Sequence, residues 1–295
     1  MGVGPGQDER SLPGYGWEKG VNGAMKTGFV GYGNMGGALL RSLLASGAID
    51  QSNLVVSTRT KNKPDSLVNQ YPGMKASSNI ELAKKCSRIF ICVRTGEAKG
   101  VIEEMSDCFV EGVHLVSICA GLEIKNLEKA FSGKITRIIP SITSEVGAGV
   151  SLVCHNNVVG EEDREYIERM LRTIGKVKVI REDQFEVGAD LTSCAPAFIA
   201  CIFREFASAG VRHSDFSMAE AREMVLSSLY GTAELLSGKQ VGFDEIIQKV
   251  ATRGGISAEG LKVLERELPV VFEELFKSTL GKHDTVKKQV AEQYV

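Results

Sequence analysis

The sequence predicts an α/β fold in which a doubly wound, mostly parallel sheet is followed by an all-helical dimerisation domain. Two observations carry this prediction. From Lys26 to about Glu182, short apolar runs alternate with segments of helical spacing, the pattern of βαβ units. Beyond Glu182 those runs stop and only helical spacing remains. A chain of 295 residues is long enough for two domains. We expect a disordered extension over residues 1–24, a sheet domain over 25–182 and a helical domain over 183–295.

The expected strands are 27–30 ("TGFV"), 54–57 ("LVVS"), 88–93, 113–118, 136–139, 149–154 and 176–180. They are short, apolar and rich in Val and Ile, as strands covered on both faces are. Between them "GGALLRSLLASG" and "EAKGVIEEMSDCF" have helical spacing, and Gly47 and Gly175 fall where C-caps belong. The stretch before Met25 is rich in glycine and proline and has no apolar core of the signal-peptide kind. The fold is expected to begin at Lys26.

In the second half, helices are expected over 196–210, 217–237, 243–250, 257–266 and 268–280, with a loosely held polar tail after 280. "APAFIACIFREFASAG" is apolar on nearly every face through Phe203, and such a helix needs cover on all sides. A domain of about 110 residues has little core to offer it. A second copy of the chain, in a homodimer, is the expected cover.

Composition narrows the function classes. A net charge of −2 leaves no basic excess, so neither nucleic acid nor an acidic membrane surface is an expected partner. No run of 18 apolar residues predicts a membrane span. Seven cysteines, an odd number without CxxC pairing, read as the reduced thiols of a cytoplasmic protein, and no metal site is expected. Cys154 beside His155 reads as a strand residue that precedes a histidine.

The chemistry begins at "GFVGYGNMGGALL". Gly31, Gly33 and Gly36 stand in G-x-G-x-x-G register between a strand and an amphipathic helix, the context a dinucleotide turn requires. Gly31 permits the tight turn, Gly33 lets backbone approach a pyrophosphate, and Gly36 lets the helix pack on the strand. The helix N-terminus then offers free N–H groups to the phosphates. NAD sites place an acid at the end of the second strand, whereas here that strand ends in Ser57-Thr58-Arg59. Asp50 precedes the strand and so lies at the wrong end of the sheet. A guanidinium flanked by two hydroxyls suits a 2′-phosphate, so NADP(H) is the expected cofactor.

A second constellation is "VATRGGISAEGLKVLE". Gly254 and Gly255 precede a helix, so backbone amides and the helix dipole meet there as a candidate carboxylate site. Ser257 reads either as a hydroxyl beside that site or as an N-cap.

With both constellations in view, residues 26–280 resemble the pyrroline-5-carboxylate reductase family. The resemblance rests on "GFVGYGNMG", "VSTRT", "VSICAGL", "TRIIP…VGAGV", "APAF…AGV" and "GGISAEGL", in order. It implies a Rossmann domain, a helical domain interlocked with a second subunit, and hydride transfer from NAD(P)H to the C=N carbon of a cyclic imino acid. It places Gly31, Tyr32, Gly33, Asn34, Met35 and Gly36 on the pyrophosphate, and Ser57, Thr58 and Arg59 on the ribose phosphate. Asn79 falls near the adenosine end, and Val93, Arg94, Cys119 and Ala120 fall along the nicotinamide half. Gly254, Gly255 and Ile256 cradle the substrate carboxylate. Ser257 stands at the family's threonine, near the ring nitrogen.

The chain departs from the family at V-K-P, which becomes Val93-Arg94-Thr95, and at M-P-N, which becomes Ile139-Pro140-Ser141. The residue before Gly254 is Arg253 where the family has proline. The cofactor residues keep the family pattern better than the substrate residues do. The departures keep two alternatives open, a reductase of another small imine or carbonyl compound and a non-catalytic NADP(H)-binding regulator.

Overall fold

A computed structural model describes residues 26–59, 68–238 and 241–294; the expected extension over 1–24 lies outside them. Strand β1 (Lys26–Val30) leads into α1 (Asn34–Ala45), and β2 (Leu54–Ser57) follows. Next come a two-residue β3 (Lys75–Ala76), α2 (Asn79–Ala83), β4 (Cys86–Ile91) and α3 (Ala98–Met105). Strand β5 (His114–Ser117), α4 (Ile124–Ala130), β6 (Lys134–Ile139), β7 (Gly149–His155), α5 (Glu161–Arg172) and β8 (Gly175–Val179) complete the sheet half. All seven expected strands are present. Strand β3, too short to leave a pattern, was not expected.

The eight strands lie in the order β3-β2-β1-β4-β5-β6-β7-β8. Every pairing is parallel except β6 with β7. The order reverses direction at β1, so a crevice opens between the C-terminal ends of β1 and β4, where sheets of this kind bind ligands. Alternating side chains divide the core in two. Phe29, Val56 and Phe90 face α1 and α5, while Val30, Ile89, Ile91 and Leu115 face α3 and α4. Phe29 and Phe90 stack with ring centroids 4.4 Å apart.

The helical half starts with a short α6 (Phe185–Ala189) and a π-turn over Asp190–Cys194, then α7 (Ala195–Arg212), α8 (Met218–Gly238), α9 (Phe243–Val250) and α10 (Ile256–Gln293). Two expectations are corrected here. The helices expected over 257–266 and 268–280 are one helix, and Pro269 lies inside it. Proline there removes one N–H and crowds the carbonyl of exposed Glu265, which water can solvate. Nor is the tail loose: α10 continues to Gln293, and Val290 and Tyr294 are buried against the sheet half.

One helical run, Glu182–Arg212, is long and apolar enough to cross a membrane by length and composition alone, a test that the core helix of a soluble protein also passes. Charged residues such as Arg204 interrupt it, so the sequence holds no unbroken apolar run there.

The two halves are joined by a buried charge cluster absent from the sequence reading. Arg137 of β6 is 1% exposed. Its Nη1 donates to Glu182 Oε1 at 3.0 Å, its Nη2 lies 3.7 Å from Glu186 Oε1, and its guanidinium sits over the Phe185 ring. A buried charge without such partners would cost several kcal/mol, roughly, so the start of α6 is fixed onto the sheet.

Candidate active site

Each glycine of the first turn meets a different steric demand. Gly31 has φ +96°, and a Cβ there would stand 2.7 Å from the Cys92 carbonyl oxygen. Its N–H donates to the Ser57 carbonyl at 2.8 Å, which ties the turn to the end of β2. A Cβ on Gly36 would stand 2.7 Å from Cys92 Cβ, so α1 packs on β4 more closely than a side chain permits. Gly33 is the N-cap of α1, and a Cβ there would meet nothing within 4 Å. The fold itself does not require that glycine, so the space beside it is open. No side chain caps α1 and its first turn has no acid, so its amides and dipole face the crevice.

The residues expected around this turn converge on the same edge. Ser57, at the end of β2, is buried, and its hydroxyl donates to Asn79 Oδ1 at 2.7 Å. Asn79 opens α2 and donates in turn to Glu104 Oε2 at 2.7 Å. Arg59 is exposed, and its Nη1 lies 2.7 Å from Glu97 Oε1. Glu97 belongs to the turn after β4, so one carboxylate already sits on the guanidinium, a partner that the local pattern around Arg59 does not announce. Thr58 lies between them. Asp50 is a cap instead: Oδ1 accepts from the Ser52 amide and hydroxyl, bonds that hold its pKa low.

Val93, half-buried, and Arg94, exposed, follow β4; Cys119, buried, and Ala120, exposed, follow β5. Cys119 Sγ lies 3.4 Å from the Val93 carbonyl oxygen, and Thr95 donates to the Ala120 carbonyl at 2.8 Å, so the two loops are bonded to each other. Burial pushes the Cys119 thiol up to about 11, and the thiol therefore remains neutral. Tyr32 is held by Arg41, whose Nη1 donates to its hydroxyl at 3.1 Å. Asn34 is exposed and Met35 half-buried on the first turn of α1.

The second constellation is built as a turn but stands elsewhere. Gly254 has φ +75°, and Gly255 is the N-cap of α10, its amide bonded to the Thr252 carbonyl at 2.9 Å. Ile256 is 94% exposed, and Ser257 is exposed within the first turn. Ser257 is not the cap, so its hydroxyl is not committed to the helix end. Helix α10 has 38 residues, about 57 Å at 1.5 Å per residue. Its far end touches the Thr95–Glu97 turn, since Gln293 Nε2 would lie 3.4 Å from a Cβ on Gly96. Gly254–Ser257 therefore stand roughly 50 Å from the loops after β4 and β5 of their own chain. The two constellations are not one site within a single chain.

Comparison with known proteins covers both. The family model described as "Pyrroline-5-carboxylate reductase dimerisation" matches residues 182–285, and that described as "NADP oxidoreductase coenzyme F420-dependent" matches residues 26–121. Pyrroline-5-carboxylate reductase 3 of Bacillus subtilis is 38% identical over 267 residues, 90% of this chain and 98% of that protein. The chain belongs to the pyrroline-5-carboxylate reductase family. ComE operon protein 4 of the same bacterium is 32% identical over 90% of this chain and 99% of its own length. A crystal structure of pyrroline carboxylate reductase from Plasmodium falciparum, with NADP bound, superposes at a TM-score of 0.80 with 25% identity, covering 90% of this chain and 98% of that one.

Proposed function

We propose that the protein reduces the C=N bond of 1-pyrroline-5-carboxylate to give L-proline, with NADPH as hydride donor, as a homodimer in the cytoplasm. The observation that carries this reading is the match to the Bacillus subtilis reductase. A match of 267 residues out of 295 necessarily includes both Gly31 and Ser257. We assign residues 25–182 to the cofactor and 183–295 to dimerisation and the imino-acid substrate.

The residues present fit a bound dinucleotide, because the fold leaves open the space that a side chain at position 33 would fill. NADPH, when bound, supplies the hydride. The chain supplies position and charge. Amides from Gly31 to Gly36, across Tyr32, Asn34 and Met35, hold the pyrophosphate. Arg59 exchanges Glu97 for the 2′-phosphate, assisted by Ser57 and Thr58, while Asn79 borders the adenosine. Val93, Arg94, Cys119 and Ala120 wall the nicotinamide half, and the neutral Cys119 thiol adds no charge beside the reacting carbon.

The roughly 50 Å between the two constellations supports a site in which the partner's α10 brings Gly254, Gly255, Ile256 and Ser257 to each cofactor. Amides at that helix start hold the substrate carboxylate. The Ser257 hydroxyl accepts the N–H of a protonated imine. Hydride addition then only neutralises a charge, so alignment matters more than a strong general acid. Dimerisation also covers the apolar faces of α7 and α8, which a membrane would otherwise have to do.

Purified protein with NADPH and pyrroline-5-carboxylate, followed at the nicotinamide absorbance, tests the reading. Oxidation of NADPH with stoichiometric proline is expected. Tight NADPH binding without turnover would overturn it.

A further inference from the structure

Residues 286–294 lie beyond the dimerisation match, which ends at 285. They also behave unlike the rest of their helix. Val290 is the single buried residue within α10, and Tyr294 follows it at 3% exposure. Both belong to the core cluster that contains Ala98, Ile102, Cys119 and Leu122.

The contacts of this segment fall on two loops and on the helices beside them. Gly121, directly after Ala120, has φ +71°, and a Cβ there would stand 2.7 Å from Val286 Cγ1. The Val286 side chain thus packs directly on the turn after β5. Gln293 lies against Gly96 in the turn after β4. Two lysines from that side bind the last carbonyls of the helix: Lys99 Nζ donates to Gln293, and Lys129 Nζ donates to Tyr294 at 3.0 Å. Cations are favourable at that end because helix carbonyls are unpaired there and the dipole is negative. Lys99 Nζ also sits 5.5 Å from the Tyr294 ring centroid. Lys287 completes the attachment, 2.8 Å from Glu186 Oε2 and 3.4 Å from Glu123 Oε1. The turns it holds are those that Thr95 and Ala120 bond to each other.

We propose that residues 286–294 are a strap that positions the loops 93–97 and 119–121 against the nicotinamide half of the cofactor, with Tyr294 as its anchoring and positioning residue. The inference rests on the cofactor placement proposed above. Affinity for NADPH comes mainly from the phosphate contacts at Gly31–Gly36 and Arg59, which the strap does not touch. Hydride transfer depends on alignment at the other end, where a displacement of a fraction of an ångström already lowers the rate. Loosening the strap therefore lowers kcat and leaves binding nearly intact.

Tyr294→Ala and a deletion of residues 287–295 test this in the full dimer. Both are expected to lower kcat about tenfold, with the NADPH Kd changed by less than about threefold. The nicotinamide emission of bound NADPH, which reports how firmly the ring is held, should fall in parallel. Tyr294→Phe should match the wild type in all three, because the Tyr294 hydroxyl has no hydrogen-bond partner among the described residues. Unchanged kcat and unchanged emission in dimeric Tyr294→Ala, even with a lower Tm, would overturn the proposal by leaving the segment a purely structural role. If neither variant folds, Lys129→Met, which unties only the Tyr294 carbonyl, takes their place with an expected fall in kcat of about threefold; no change would overturn the strap. Failure of the wild type to reduce pyrroline-5-carboxylate would count against the proposed substrate, and the emission measurement would still decide the strap.

Discussion

Strands β1, β4 and β5 bury their apolar side chains within one chain, whereas helices α7 to α9 leave most of theirs exposed. Phe29, Phe90 and Val116 are at 0% exposure. In the helical half Phe206 is at 66%, Tyr230 at 69% and Phe243 at 76%, and Ala207 is the single buried residue of α7. Apolar area left in water on this scale marks an interface still to be formed. The difference teaches where each part of the fold is completed. The edge at the glycine turn is assembled by the sheet alone, whereas the helical half, which matches a dimerisation domain, leaves apolar faces uncovered.

The sharpest way to break this comparison is to poison the exposed face. Phe206→Asp should abolish dimerisation and lower turnover more than about a hundredfold, since a buried unpaired charge costs several kcal/mol. NADPH should still bind, and light scattering with a cofactor titration checks both halves of the statement. Loss of NADPH binding as well would show that the sheet half is not self-sufficient.

Arg59→Ala acts on the other side of the divide. It should weaken NADPH by about tenfold to a hundredfold, the worth of a charge-assisted phosphate contact, with NADH little affected. Equal losses for both cofactors would remove Arg59 from the 2′-phosphate. Ser257→Ala should lower kcat about tenfold and leave the NADPH Kd unchanged; unchanged kinetics would remove the hydroxyl from the site.

The smallest effect concerns pH and belongs to the sheet. Thr136 Oγ1 lies 2.7 Å from both His114 Nε2 and His155 Nδ1 beneath α5. Burial pushes the His114 pKa down to about 4, and burial likewise lowers that of His155. Both folded values lie below the unfolded value, so the unfolded chain binds the protons more readily. Stability from this pair is fully present above pH ~6.5 and is lost as pH falls towards the folded values. Tm should therefore drop between pH 7 and pH 5 by a few degrees, roughly, and His114→Gln should flatten that slope. An equal slope in both proteins would assign the drop to other groups.

Much of this was legible before any coordinates. Seven strands announced themselves as short apolar runs, and Gly31, Gly33 and Gly36 stood in a spacing with one ready physical meaning. Arg59 was legible too, because the end of β2 follows directly from the strand pattern. The partner Glu97 was not, since 38 residues separate it from Arg59. Ser57 bonding to Asn79 is of the same kind: both residues were expected at the site, but their direct contact follows only from the fold.

The helical half was read correctly in kind and wrongly in detail. Helical spacing around Pro269 looks like a break, and only the exposure of that stretch lets one helix run through it. The polar tail looks loose because Val286, Val290 and Tyr294 are scattered apolar residues in a charged sequence. They fall on one face when the helix continues, and the surface they meet is formed by residues more than 130 positions away.

The sequence by itself determined the α/β order, the glycine turn, the choice of NADP(H) and the need for cover over α7. Those depend on local spacing and side-chain type, which neighbouring residues carry. Only the tertiary structure decided that Arg137 joins the halves, that α10 holds Gly254–Ser257 far from the glycine turn of its own chain, and that its last residues bind the loops after β4 and β5. These depend on which distant surfaces meet, and a linear pattern holds no record of that until the chain has folded.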